Sequence, residues 1–139
     1  MRVLLVIEDD RDSNDAIVSV LTNAGYRCLA ALNAEQGLLL MQKHEPSLVV
    51  LDLYLPGMSG AEFLVRKAAI DAVAAIPVVV ITGLSDVPRL DNVVAALRKP
   101  FTIDEIVELV RKFAPLPRPE PKPKTALGPD LVAPAPRST

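Results

Sequence analysis

Short apolar runs that break off abruptly into polar residues recur along this 139-residue chain. Arg2 to Ile7 stops at Glu8-Asp9-Asp10, Leu48 to Leu51 stops at Asp52, and Val78 to Ile81, led by Ile76-Pro77, stops at Thr82-Gly83. Runs that are continuously apolar rather than alternating predict strands buried on both faces, here with polar residues at their carboxyl ends. Arg27 to Leu32 and Val94 to Arg98 are weaker strand candidates, the second ending at Lys99-Pro100. Between the runs the apolar period changes to that of a helix. Ile17, Val18, Val20 and Leu21 form a stripe after Asp12-Ser13-Asn14, and Gly25 stands where a left-handed cap is wanted. Asn33 can cap a helix from Ala34 to about Lys43, with Pro46 beyond it, and Ser59-Gly60 precedes a helix from Ala61 to about Val73. Thr102-Ile103-Asp104-Glu105 reads as a capping box. Ile106, Val107, Leu109 and Val110 then supply an apolar face, and Arg111-Lys112 complement the helix end before Pro115.

Strands and helices in alternation predict an α/β fold, a parallel sheet covered on both faces with right-handed crossovers. An open, doubly wound sheet takes its ligand beyond the carboxyl ends of its strands. Glu8, Asp9, Asp52, Thr82 and Lys99 all fall on that edge. Carboxylates crowded into one crevice repel one another, and protonation or a bound cation relieves them. Oxygen donors favour Mg²⁺, which keeps several waters and takes one or two carboxylates together with phosphate oxygens. Such a pocket suits a phosphoryl group, with Asp52 as a carboxylate nucleophile and Lys99 and Thr82 on the phosphoryl oxygens.

Composition narrows the alternatives. With 50% hydrophobic and 23% charged residues, the chain can bury the core of one domain. Eight of the 13 prolines fall after Ala114, so residues 1–114 are read as the domain and residues 115–139 as a solvated, extended, Pro-rich tail. That tail is compatible with a linker to further protein or with a short docking segment. The domain carries 11 basic against 15 acidic residues, a net −4, and the tail nets +2. An acidic domain with 4% aromatics and no Trp is not expected to bind nucleic acid directly. No apolar run approaches the roughly 20 residues of a membrane span, and MRVLLVIEDD turns acidic too early for a signal peptide, so a cytoplasmic chain is expected. Cys28, the sole cysteine, reads as a small buried hydrophobe and His44, the sole histidine, as a solvated helix-terminal residue.

Taken in order, these residues resemble the receiver domains of two-component response regulators. The likeness runs from Met1 to about Phe113. It rests on Glu8-Asp9 after the first strand, Asp52 through Gly60 after the third, Thr82-Gly83 after the fourth and Lys99-Pro100-Phe101 after the fifth. The resemblance implies a doubly wound (βα)5 three-layer sandwich of the flavodoxin or CheY-like kind, with strand order 2-1-3-4-5. It implies that Asp52 accepts a phosphoryl group from a sensor histidine kinase or a histidine phosphotransfer protein, and that Glu8, Asp9, Asp52 and the backbone carbonyl of Tyr54 hold Mg²⁺. Thr82 is then expected to bond a phosphoryl oxygen and move inward, and Lys99 to pair with the phosphoryl group. The resemblance also implies a cis Lys99-Pro100 bond and a kinase-docking face around Asn14, Ala16, Ile17 and Val18. Asp10 is read as a solvated loop acid.

Three departures from the family pattern matter, beside one finer likeness. Many receivers carry Tyr or Phe where Ala96 stands, so the aromatic half of their switch is absent here. Thr82 and Lys99 are only 17 positions apart and Pro88 falls between them, which predicts a shortened or irregular fourth helix. Leu97-Arg98-Lys99-Pro100-Phe101 together with Thr82-Gly83 is similar to a subgroup of alphaproteobacterial receivers. Tyr54 and Leu84, two residues beyond the nucleophile and the threonine, are unable to position a water, so slow self-dephosphorylation is expected. No output domain is expected after the receiver. The favoured reading is a single-domain response regulator, not an enzyme, that passes its phosphoryl group on or binds an unknown effector protein. The alternatives are a phosphate-independent receiver-fold interaction module and a phosphatase, the latter disfavoured because Tyr54 stands where such enzymes carry an acidic residue.

Overall fold

The computed structural model describes residues 2–83 and 92–117. Its apolar runs become five strands, β1 (Val3–Ile7), β2 (Arg27–Ala31), β3 (Leu48–Asp52), β4 (Val78–Thr82) and β5 (Val93–Arg98). All neighbours pair in parallel, in the order β2-β1-β3-β4-β5. Ile7 stands level with Ala31 on one side and Leu51 on the other, and Asp52 with Ile81, so the carboxyl ends form one edge. Four helices are present among the described residues: α1 (Arg11–Asn23), α2 (Ala34–His44), α3 (Gly60–Ala68) and α4 (Ile103–Phe113). The interval expected to hold a shortened fourth helix, with Leu84 and Pro88, lies outside the described residues, as does the tail from 118 to 139.

Alternation along the strands divides the core into two halves, because successive side chains leave opposite faces of a sheet. Leu4, Val6, Leu48, Val50, Val79 and Ile81 meet Ile17 and Leu21 of α1 and Ile106 and Val110 of α4. Leu5, Ile7, Val49, Leu51, Val78 and Val80 meet Ala34 and Met41 of α2 and Phe63 and Leu64 of α3. β3 and β4 are buried throughout, which accounts for their unbroken apolar sequence. Among the described residues no helix is long and apolar enough to cross a membrane.

Caps fix the helix starts. Asn33, Ser59 and Thr102 accept from the backbone of Gln36, Glu62 and Glu105, and Glu105 reciprocates to Thr102, the expected capping box. α3 ends at Ala68 rather than near Val73. Beyond it the chain closes successive tight turns, from Ala69 N to Arg66 O through Ile76 N to Val73 O. These turns bury Val73 and bring the carbonyl of Ala74 2.8 Å from the ammonium of the buried Lys67. A continued helix would turn those partners away.

The chain closes on itself at the opposite edge of the sheet. Tyr26 donates its hydroxyl to the Ala114 carbonyl at 2.7 Å, and Arg2 Nε donates to the Pro115 carbonyl at 2.9 Å. Leu116 packs on the α1/α4 half of the core and lies against Gly25, whose φ of +107° confirms the left-handed turn expected there.

Candidate phosphoryl and metal site

β1, β3 and β4 are adjacent, so the residue just past β1 and the last residues of β3 and β4 emerge side by side. Glu8 and Asp52 are buried there, at 1% and 5% exposure, Thr82 is fully buried, and Asp9 is exposed. Lys99 follows β5 at the sheet's margin, and its backbone N donates to the Thr82 carbonyl at 2.8 Å. From that anchor its ammonium reaches back across the strand ends, 2.8 Å from Glu8 Oε1 and 2.9 Å from Asp52 Oδ2. The backbone N of Tyr54 donates to Asp52 Oδ1 at 2.9 Å, while the Tyr54 ring points to solvent. The Lys99-Pro100 peptide is cis, as expected.

One ammonium therefore bridges two carboxylates. Burial raises the pKa of Glu8, and the neighbouring Asp52 raises it further, against the opposing pull of Lys99. Burial disfavours the charge of Lys99, but its hydrogen bonds and attraction to Glu8 and Asp52 outweigh this and its pKa is raised. Glu8, Asp9 and Asp52 each place one carboxylate oxygen within 4.8 Å of the others. The cluster offers only oxygen donors, the ligand chemistry that suits Mg²⁺, so the residues present fit that ion.

Other residues occupy places that the sequence did not fully disclose. Asp10 is exposed, as expected, but it also caps α1, accepting from Asp12 N at 3.3 Å and Ser13 Oγ at 2.9 Å. Of the four residues expected on the α1 docking face, two turn inward. Asn14 and Ile17 are buried, at 1% and 5% exposure, because they share the inward stripe with Leu21; Ala16 is exposed. Ala16 and Val20 line a groove of about 500 Å³ between α1 and α4, with Ile17, Phe101, Ile103 and Ile106. Gly60 starts α3 so close to β3 that an added Cβ would lie 2.7 Å from Leu53 Cα and 2.8 Å from the Asp52 carbonyl oxygen.

An open parallel sheet with an acidic crevice at its carboxyl edge is the flavodoxin-like arrangement of response regulators. The family model of the response regulator receiver domain matches residues 4–111, and the chain belongs to that family, the receivers of two-component systems. Sporulation initiation phosphotransferase F of Bacillus subtilis (strain 168) is 34% identical over 116 residues, covering 81% of this chain and 94% of that protein. The phosphate regulon transcriptional regulatory protein PhoB of Pseudomonas aeruginosa is 30% identical, over 76% of this chain but only 48% of its own length. The structure of the chemotaxis response regulator CheY4 of Vibrio cholerae shares the fold with a TM-score of 0.75 at 19% identity, covering 81% of this chain and 98% of that one.

Proposed function

We propose that Asp52 accepts a phosphoryl group from a phosphohistidine of a sensor histidine kinase or a histidine phosphotransfer protein. The phosphorylated domain then signals by a change of shape and contact with an effector protein. The observation that carries this is the position of Asp52 at the end of β3, next to Glu8 and Asp9 and 2.9 Å from the Lys99 ammonium. A carboxylate oxygen of Asp52 attacks phosphorus, a P–O bond forms, and the P–N bond to the donor imidazole breaks. The electron pair of that bond stays on the imidazole nitrogen, which takes up a proton. Tyr54 N steadies Oδ1 through this step, and Lys99 pairs with the incoming phosphoryl oxygens. Thr82 bonds another of them. Glu8, Asp9, Asp52 and the Tyr54 carbonyl hold Mg²⁺, which when bound supplies electrostatic stabilisation of charge on the phosphoryl group. The protein carries the group stoichiometrically rather than turning over a substrate, and it works in the cytoplasm. The groove beside α1, which opens at Lys99, is where the histidine-bearing partner docks.

Intact mass after incubation with acetyl phosphate tests this reading, with and without Mg²⁺, on the native chain and on Asp52→Asn. One Mg²⁺-dependent phosphoryl adduct, lost in the variant, is expected. Failure of the native chain both to gain an adduct and to bind Mg²⁺ would instead favour the phosphate-independent interaction module, which the missing aromatic at Ala96 supports.

A further inference from the structure

Asn14 lies one turn into α1 and is 1% exposed. Its side-chain nitrogen stands among three backbone carbonyls, 3.1 Å from Glu8 O, 3.0 Å from Ala31 O and 3.4 Å from Val6 O. Those carbonyls belong to the ends of two strands. β1 stops at Ile7 and β2 at Ala31, and the ladder between them extends only as far as the bond from Glu8 N to Ala31 O at 3.1 Å. Beyond that bond Asn14 supplies to the Glu8 carbonyl the donor that a further residue of β2 would have supplied, and it adds to the carbonyls of Val6 and Ala31. Its orientation is fixed by the same carbonyls, because a reversed amide would set oxygen against three oxygens. Among the described residues Oδ1 accepts no hydrogen bond. An apolar side chain would fill this place without burying an unpaired acceptor, so the amide is of use for what its nitrogen holds.

What it holds is the backbone of Glu8. The Glu8 carboxylate is directed by Lys99 at Oε1 and by the backbone N of Asp10 at Oε2, 3.3 Å away. Its Cα is held by Ala31 through the amide and by Asn14 through the carbonyl. We propose that Asn14 is a positioning residue for the cation site. By tying α1 to the ends of β1 and β2, it keeps the Glu8 carboxylate in register with Asp9 and Asp52. This rests on the metal reading given above. Residues behind a metal ligand that fix its orientation commonly contribute tenfold or more to affinity.

The test is the Mg²⁺ dissociation constant of the full chain, measured by calorimetry for the native protein, Asn14→Leu and Asp9→Asn, with thermal melting in EDTA alongside. Asn14→Leu is expected to weaken Mg²⁺ binding about tenfold to a hundredfold. The half-saturating Mg²⁺ for phosphorylation by acetyl phosphate should rise in step, with the rate at saturating Mg²⁺ unchanged. A change in affinity of less than about threefold, against the expected tenfold, would overturn the proposal, as would loss of the saturated rate. If native protein and Asp9→Asn bind Mg²⁺ equally, or neither binds, the metal reading itself fails and takes this proposal with it. If Asn14→Leu does not fold, Asn14→Ser is measured in the same way. If that also fails, the Asn14 side-chain amide resonances of native protein are followed through the titration: a shift that saturates with the measured constant supports the role, and none overturns it.

Discussion

Glu8 couples the stability of the domain to pH. Its carboxylate is buried and its pKa is raised, so between its ordinary value of 4.5 and its folded value the native state holds more protons than the unfolded chain. Stability through that group therefore falls as pH rises above 4.5. The raised Lys99 works at the other end of the scale, its contribution being present below 10.5 and lost as pH climbs through its folded value. Urea unfolding at a series of pH values above 4.5 should show a less negative slope for Glu8→Gln than for the native protein; equal slopes would remove Glu8 from the account. Tyr54 bears on the lifetime of the product. Its exposed ring beside Asp52 offers no carboxylate or amide to orient water, so phospho-Asp52 should persist for minutes or longer in purified protein, and loss within seconds would contradict this.

At the scale of elements, the close approach of α3 to β3 has a measurable cost if disturbed. Gly60→Ala sets a methyl against backbone atoms that have no freedom to rotate away. It should destabilise the domain by about 1–3 kcal/mol and displace the strand end that carries Asp52. Denaturant titration and the rate of phosphorylation would register the two effects separately. The strands were legible because a parallel sheet buries both faces and leaves its polar residues at the ends. That geometry also made Glu8, Asp9, Asp52, Thr82 and Lys99 readable as one cluster in the sequence. The end of α3 was not legible. Its sequence keeps a helical character past Ala68, and what stops it is tertiary: Val73 turning into the core and Lys67 capping Ala74 from a distance of seven residues. Asn14 was misread for a related reason. The family resemblance set it on a docking face, whereas its partners are carbonyls that only the folded sheet assembles.

For the molecule as a whole, the proposed Mg²⁺ site in an acidic crevice bridged by one lysine would couple folding to the cation. A ligand that binds only the native state stabilises it by about 2.7 kcal/mol at a hundred times its dissociation constant. Mg²⁺ should accordingly raise Tm in native protein and leave Asp9→Asn much less affected; equal shifts would mean the ion acts elsewhere. Cohesion at the far edge has its own signature. Tyr26→Phe leaves the buried Ala114 carbonyl without its 2.7 Å donor and should cost about 1–3 kcal/mol. That cost should appear in unfolding experiments while Mg²⁺ affinity stays unchanged.

The contact between Arg2 and Pro115 has a practical corollary. Both residues stand where the strands begin, and a five-residue strand separates that edge from the carboxyl edge by roughly 17 Å. A fluorophore, resin or fused protein attached before Arg2 or after Pro117 would therefore sit on the molecule's underside, leaving the crevice facing outward. Immobilised in that way, the domain should meet a soluble phosphodonor unobstructed, and two reporters placed at the two attachment points would start out as near neighbours.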